Sequence, residues 1–321
     1  MPAKNKIDHF IKPMLATAVE QPFNNEEWLF ELKLDGYRAI AEINSRQVLL
    51  YSRNGLNLGL RYPSLIKELK KNKKSMILDG EVVVLGKNGR TDFQKLQNYD
   101  EGDEYPLVYY VFDILSLSKK DLKDTPLLQR KKILKRELVK SPSLIYSDHI
   151  EEEGIAFFHV IRKNNMEGIM AKKKESYYRP GFRTRQWLKI KNNKSQEAII
   201  VGFTEPGGSR KHFGSLLLAQ YDKNKLQYIG HAGTGFTDKT LDKVMKKMKP
   251  LIAKRSPFDY PVKTNAPVTW LKPSLVAEIG FSEITNDGIL RHPVFKGLRE
   301  DKEARKVKRE TERTLPADTL I

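Results

Sequence analysis

Two apolar runs, Trp28 to Leu34 (WLFELKL) and Tyr37 to Ile43 (YRAIAEI), flank Asp35-Gly36, and this strand–turn–strand pattern is the strongest constraint on the fold. Gln47 to Ser52 (QVLLYS) continues the pattern as a third strand. Met76 to Leu85 (MILDGEVVVL) and Leu107 to Leu115 (LVYYVFDIL) are rich in β-branched and aromatic residues and read as central strands. Helices interrupt them. Leu65, Ile66 and Leu69 define one over Tyr62 to Lys74. Thr125-Pro126 starts another, and a third opens on the acidic run Glu151 to Glu153, which complements the helix dipole. The class is α+β, with antiparallel sheets and flanking helices.

Near Lys191 the texture changes. KNNKSQE (191–197) is polar and reads as a linker or hinge. Short strands follow at 198–203, 215–221, 226–231 and 275–281, interrupted by a helix that opens at Thr237 and carries Leu241, Val244, Met245 and Met248 on one face. About five strands and one helix suit a small closed barrel of the oligonucleotide-binding (OB) kind. The division expected is a first domain over 1–194, a barrel over 195–304 and a charged tail over 305–321.

Composition narrows the function. Lys and Arg number 58 against 40 Asp and Glu, a net charge of +18, with a pI near 9.7. That excess favours polyanions, above all nucleic acid. The absence of cysteine excludes thiol nucleophiles, cysteine zinc sites and iron–sulfur clusters. None of the six histidines sits at zinc spacing with another; His231, in a Gly-rich segment, is a candidate DNA-backbone contact. No apolar run approaches the roughly 18 residues of a membrane span, and residues 1–15 lack a signal-peptide core, so a cytoplasmic, nucleoid-associated protein is expected.

The sharpest motif is Lys33-Leu34-Asp35-Gly36-Tyr37-Arg38. A lysine at the end of an apolar strand can serve as a nucleophile if its amine is neutral, and desolvation and neighbouring cations both push its pKa down. Further segments follow in order: Ser52-Arg53-Asn54-Gly55, Leu78-Asp79-Gly80-Glu81, Tyr109-Tyr110-Val111-Phe112-Asp113, Met166-Glu167-Gly168-Ile169-Met170-Ala171-Lys172, and Trp187-Leu188-Lys189-Ile190-Lys191. Singly each has a bland explanation. Phe112 and Met170 suit a core, Glu81 and Glu167 suit strand ends, and Lys189 and Lys191 suit a half-exposed strand. Chance does not reproduce their joint order.

That order resembles the covalent nucleotidyltransferases, namely ATP-dependent DNA ligases with their capping-enzyme and RNA-ligase relatives. Within them it is most similar to the ligase module of the bacterial end-joining DNA ligases. Residues 228–236, Trp270-Leu271-Lys272-Pro273 and 290–302 carry that second likeness. The resemblance implies an adenylation (nucleotidyltransferase) domain followed by an OB-fold domain. It makes Lys33 the nucleophile that takes AMP from ATP, passes it to a 5′-phosphate and so allows a 3′-hydroxyl to seal the break.

By the same resemblance Lys189 and Lys191 neutralise phosphate and depress the Lys33 pKa. Glu81 and Glu167 hold Mg²⁺ or Mn²⁺, or the ribose. Phe112 stacks on adenine with Met170 on its other face, and Glu31 meets the adenine amino group. Arg38 lies beside the ribose and the lysine, while Arg53, with Arg38, serves DNA, gripping the 5′-phosphate of the nick. Arg299, Asp301 and Lys302 swing in to orient pyrophosphate; Arg291 is a looser match.

The implied partners are nicked or broken duplex DNA, a Ku-type end-binding protein, and polymerase or nuclease modules of the kind end-joining ligases carry. The chain is expected to be a monomer, either a stand-alone ligase or one module of a longer protein. An RNA ligase, an mRNA guanylyltransferase and a non-catalytic nucleic-acid-binding barrel are the alternatives. NAD-dependent ligation is disfavoured, because only 32 residues precede Lys33 and cysteine zinc ligands are missing.

Overall fold

The computed structural model describes residues 7–87, 89–192, 194–207, 211–264 and 266–309. They form two compact units, one within residues 7–192 and one within 194–309. The first runs β1 (Leu15–Val19), β2 (Asn25–Leu32), β3 (Tyr37–Ile43), β4 (Val48–Ser52), α1 (Pro63–Leu69), β5 (Met76–Val84), α2 (Phe93–Gln97) and β6 (Leu107–Leu117). It continues with β7 (Lys120–Asp121), α3 (Leu127–Glu137), β8 (Leu144–Tyr146), β9 (Ile150–Glu152), α4 (Gly154–Lys163), β10 (Gly168–Lys173) and β11 (Arg183–Lys191).

These strands build two sheets, ordered β1-β11-β10-β2-β9 and β4-β3-β5-β6-β7, with β8 added beside β6. β2 and β3 therefore do not pair. Asp35-Gly36 carries the chain from one sheet to the other instead of closing a hairpin. Side-chain alternation explains the separation. Trp28 and Phe30 of β2 point outward and pack with Val19, Phe23, Ile169, Leu188 and Ile161 of α4. Leu29 points the opposite way and joins Ile40, Tyr51, Phe112, Leu115, Tyr178 and Trp187 in the layer between the sheets. Ala39, Ala41 and Ile43 of β3 face a third layer with Leu65 and Leu69 of α1. Leu29 and Ile40 are wholly buried, each contributing about 1.5–3 kcal/mol of transfer free energy. The crossing is tight: a Cβ on Gly36 would lie 2.2 Å from the Val82 carbonyl oxygen.

Two helix expectations change. α1 stops at Leu69, short of Lys74, because the buried Asn72 side chain donates to the Leu69 carbonyl (3.0 Å) and accepts from the Val139 amide (3.0 Å), turning the chain away. Of the acidic run at 151–153 only Glu153 belongs to the helix start, as the N-cap of α4 without a side-chain cap bond. Ile150–Glu152 pairs with β2 as β9, Glu151 forms an ion pair with Lys174, and α4 begins only at Gly154.

The second unit comprises β12 (Ser195–Thr204), β13 (Leu216–Asp222), β14 (Lys225–Ala232), α5 (Asp238–Met248), β15 (Ile252–Ala253), β16 (Val268–Gly280), β17 (Glu283–Ile284), β18 (Leu290–Arg291) and β19 (Val294–Leu298). Its main sheet is ordered β14-β13-β12-β16-β15, with β19 also on β16. Past the end of β14, Thr234 bridges Val294 of β19 and accepts from the Phe295 amide at 2.9 Å, which closes the path into an OB-type barrel. α5 is capped by Thr237, which exchanges hydrogen bonds with Thr240, and it buries Leu241, Val244, Met245 and Met248 against Ile200, Leu218 and Phe295.

The start of the expected charged tail belongs to this unit. Ala304 and Val307 are buried with Ile199 and Leu217, and the Tyr221 amide donates to the Val307 carbonyl at 2.9 Å. Two apolar residues among many charges suffice to dock 304–309. The rest of the tail, 310–321, lies outside the described residues.

Candidate active site

Strand register assembles the site. On β10, Met170 stands opposite Glu31 of β2 and Lys189 of β11, Lys172 opposite Leu29 and Trp187, and Gly168 opposite Lys191. Directly opposed residues share a face, so Glu31, Met170, Lys172, Lys189 and Lys191 all lie on the side of Leu29 and Trp187, between the sheets. Lys33, two residues past Glu31, extends that row, and its amide donates to the Gly168 carbonyl at 3.0 Å. Its side chain is 18% exposed, and its ammonium is ion-paired with Oε1 of Glu167. Gly168 permits this approach: its φ is +151°, and a Cβ there would lie 2.1 Å from the Ile190 carbonyl oxygen.

The electrostatics differ from expectation. Burial, the largest single influence, would lower the Lys33 pKa, but Glu167, Asp35 and Glu81 together outweigh it, and the net shift is upward. The net shift is therefore opposite to the depression expected from Lys189 and Lys191, because carboxylates are the opposing charges at the amine.

Across the layer, Arg38, Glu81 and Tyr110 stand opposite one another on β3, β5 and β6. Arg38 grips buried Asp79 with a fork, Nε to Oδ1 and Nη2 to Oδ2 both at 2.6 Å, and the Tyr178 hydroxyl donates to the same carboxylate at 2.6 Å. This places the guanidinium 4.6 Å from the centre of the Phe112 ring. Lys172 Nζ lies 4.1 Å from that ring, which is only 8% exposed. The ring expected to stack on adenine thus has two cations against it.

Glu31 is also deeper than a base-edge contact suggests. It is 2% exposed, and its oxygens accept from Lys131 Nζ (2.6 Å) and Lys172 Nζ (2.7 Å). Burial would raise its pKa, but Lys131 and Lys172 lower it, so the group is a carboxylate. Lys172 pays the converse cost: burial pushes it down to about 8, against the pull of Glu31.

Three of these residues stood in motifs without an assigned role: Asp79, Lys172 and Asp113. Asp113 forms a fully buried fork with Arg130, Nε to Oδ1 and Nη2 to Oδ2 both at 2.8 Å. Tyr178, Arg130 and Lys131 lay outside every motif. In QRKKILKRE the two α3 cations look like any solvated basic face, and only the tertiary contacts reveal them.

Arg53 stands in the turn after β4. Arg299, Asp301 and Lys302 form a cluster within the barrel unit. Arg299 forks onto Asp301 (both contacts 2.9 Å), and Lys302 reaches Glu197 at 2.5 Å. Arg291 pairs with Glu283 at 2.8 Å. His231 lines a barrel cavity of about 610 Å³ with Thr204, Ser215, Thr234 and His292.

The arrangement can present an amine to an electrophile beside hard oxygen donors. Among the described residues no cluster of three or more acidic or histidine side chains forms a ready-made metal cage. Glu167 Oε2, however, is buried and lacks a hydrogen-bond partner among them. An orphaned carboxylate oxygen fits a shared site, in which a substrate's phosphates complete the shell of a small divalent ion.

The family model described as ATP dependent DNA ligase domain matches residues 13–191, and that of the ATP dependent DNA ligase C terminal region matches 209–302. The chain belongs to the ATP-dependent DNA ligases. This ligase is 39% identical over 313 residues to the multifunctional non-homologous end joining protein LigD of Pseudomonas aeruginosa, covering 95% of its own length and 37% of that protein. It is 37% identical over 306 residues to the LigD protein of Mycolicibacterium smegmatis, covering 93% and 40%. The chain therefore spans about two fifths of the length of these curated relatives. A solved mycobacterial DNA ligase D complexed with ATP and MES matches with a TM-score of 0.70 at 34% identity, over 94% of this ligase and 98% of that chain. Among the described residues, no helix is long and apolar enough to cross a membrane.

Proposed function

We propose that this ligase seals 5′-phosphate/3′-hydroxyl breaks in duplex DNA through AMP carried on Lys33. The carrying observation is the Lys33–Glu167 pair, at the end of a row with Met170, Lys189 and Lys191 on one half-buried sheet face. Before attack the ammonium loses its proton, for which Glu167 is the adjacent acceptor. The Nζ lone pair then forms a bond to the α-phosphorus of ATP, and the bond to the bridging oxygen breaks, releasing pyrophosphate. A 5′-phosphate oxygen of DNA next takes the AMP and frees Lys33. The 3′-hydroxyl oxygen attacks the 5′-phosphorus and expels AMP.

Lys189 and Lys191 neutralise phosphate oxygens through these steps. Glu81 and Glu167 would hold Mg²⁺ or Mn²⁺, whose chemistry is charge neutralisation at phosphate. Glu31 reads the base, Phe112 and Met170 flank it once Arg38 and Lys172 yield the ring, and Arg53 grips the 5′-phosphate. Arg299, Asp301 and Lys302 act on the leaving pyrophosphate. The relatives' printed names support a place in non-homologous end joining. We further propose a cytoplasmic, nucleoid-associated monomer working with a Ku-type end binder and with polymerase or nuclease modules. Incubation with α-labelled ATP tests the core of this reading. Wild-type protein becomes covalently labelled and Lys33→Ala does not; label on the variant would overturn the assignment.

A further inference from the structure

We propose that Lys131, on α3, is a positioning residue for nucleotide choice: it holds Glu31 against the amino edge of the base and so sets the preference for a 6-aminopurine. This rests on the reading that Glu31 meets that amino group. Lys131 is 1% exposed, yet its ammonium has a defined acceptor for each N–H: Glu31 Oε1 at 2.6 Å, the Ser147 carbonyl at 3.0 Å and the Phe112 carbonyl at 3.5 Å. One group thus ties the base-edge reader on β2 to the backbone of the aromatic residue on β6. The neighbouring Arg130 fastens α3 to Asp113, the next residue on β6, which fixes where the ammonium is delivered.

The chemistry of selection follows from charge. A buried carboxyl left to itself takes up a proton, and a protonated carboxyl both donates and accepts. Held ionised, Glu31 accepts only. It then favours a donor amino group at position 6 of the purine and repels the carbonyl oxygen that guanine carries there. Each carboxylate oxygen keeps a second lone-pair direction after its lysine bond, so the base contact remains available. Lys172 supplies the other cation, but the structure gives its ammonium Glu31 as its hydrogen-bond acceptor and otherwise sets it against the Phe112 and Trp187 rings, at 4.1 and 4.2 Å. It neutralises without bracing the carboxylate to the backbone.

The experiment measures kcat/KM for lysine adenylation, with ATP and with purine riboside triphosphate, which lacks the 6-amino group. Wild type should favour ATP by about tenfold or more, the scale of a hydrogen bond to a charged group. Lys131→Met should lose most of that factor through KM for ATP while changing the analogue by less than about twofold, and Lys131→Arg should restore the preference. If Lys131→Met does not fold, Lys131→Gln, uncharged but still a donor to the Glu31 and Ser147 oxygens, should reduce the ratio by a smaller factor, and an unchanged ratio would overturn the role of Lys131. Equal losses for both nucleotides would overturn the role of Lys131 alone. A wild-type enzyme indifferent to the 6-amino group would instead overturn the Glu31 reading, and this proposal with it.

Discussion

The first unit buries Glu31, Asp79, Asp113, Arg130, Lys131 and Lys172, whereas Asp301 is the charged residue buried to the same degree among the described residues of the barrel. The barrel core is instead Ile200, Leu218, Val244, Met248, Phe295 and their neighbours. The contrast separates two jobs. An apolar core is the efficient way to stabilise a fold, because desolvating an ion pair cancels much of its attraction. Buried charges held in forks keep fixed potentials inside a low-dielectric layer, where they act on a charged substrate more strongly than they would in water. The unit that carries Lys33 adds such charges to its apolar layers: Glu31, Asp79, Asp113 and Lys172 lie in or within two residues of the motif segments, and Arg130 and Lys131 reach them from α3.

The largest effect should come from breaking a fork on one side. Arg130→Ala leaves the Asp113 carboxylate buried and uncompensated and should cost about 3–5 kcal/mol in urea unfolding. Arg130→Met with Asp113→Leu should cost clearly less than the single change. A double variant as unstable as the single one would show that the pair is a stabiliser after all, and the contrast with the barrel would fail.

A second test concerns pH. Because the carboxylates raise the Lys33 pKa, the neutral amine is scarce at neutral pH and adenylation should accelerate as pH rises. Glu167→Gln removes the main opposing charge and leaves burial to dominate, so the inflection in rate against pH should move to lower pH. An inflection that stays in place would mean that Glu167 does not govern the proton on Lys33.

The smallest effect belongs to the barrel. Thr237→Ala removes the cap of α5 and should cost about 1 kcal/mol without altering the ATP-to-analogue ratio. A changed ratio would contradict the division of labour between the units.

Much of this was legible in the residues. Lys33, Met170, Lys189 and Lys191 share a face because strand alternation and register put them there, and alternation is visible in the chain; Glu167, one residue before β10, joins them through its ion pair with Lys33. The closed barrel and the Thr237 cap were legible for the same local reasons. Pairing partners were not. Asp35-Gly36 between two apolar runs looks like a hairpin, and only the opposed facing of Trp28 and Leu29 into different layers sends β2 and β3 to different sheets. The sign of the Lys33 shift was missed because motif order names the nearby cations but not which charge sits closest. Lys131 was invisible for a related reason: its burial is decided by Glu31, 100 residues away along the chain.

The account turns on one covalent bond at one lysine, and intact mass reads it directly. Wild-type protein incubated with ATP should gain the mass of a single adenylate, peptide mapping should place it on Lys33, and adding nicked duplex should remove it as the strand is sealed. A protein that seals the nick without ever carrying that mass, or that carries it on another residue, would contradict the account.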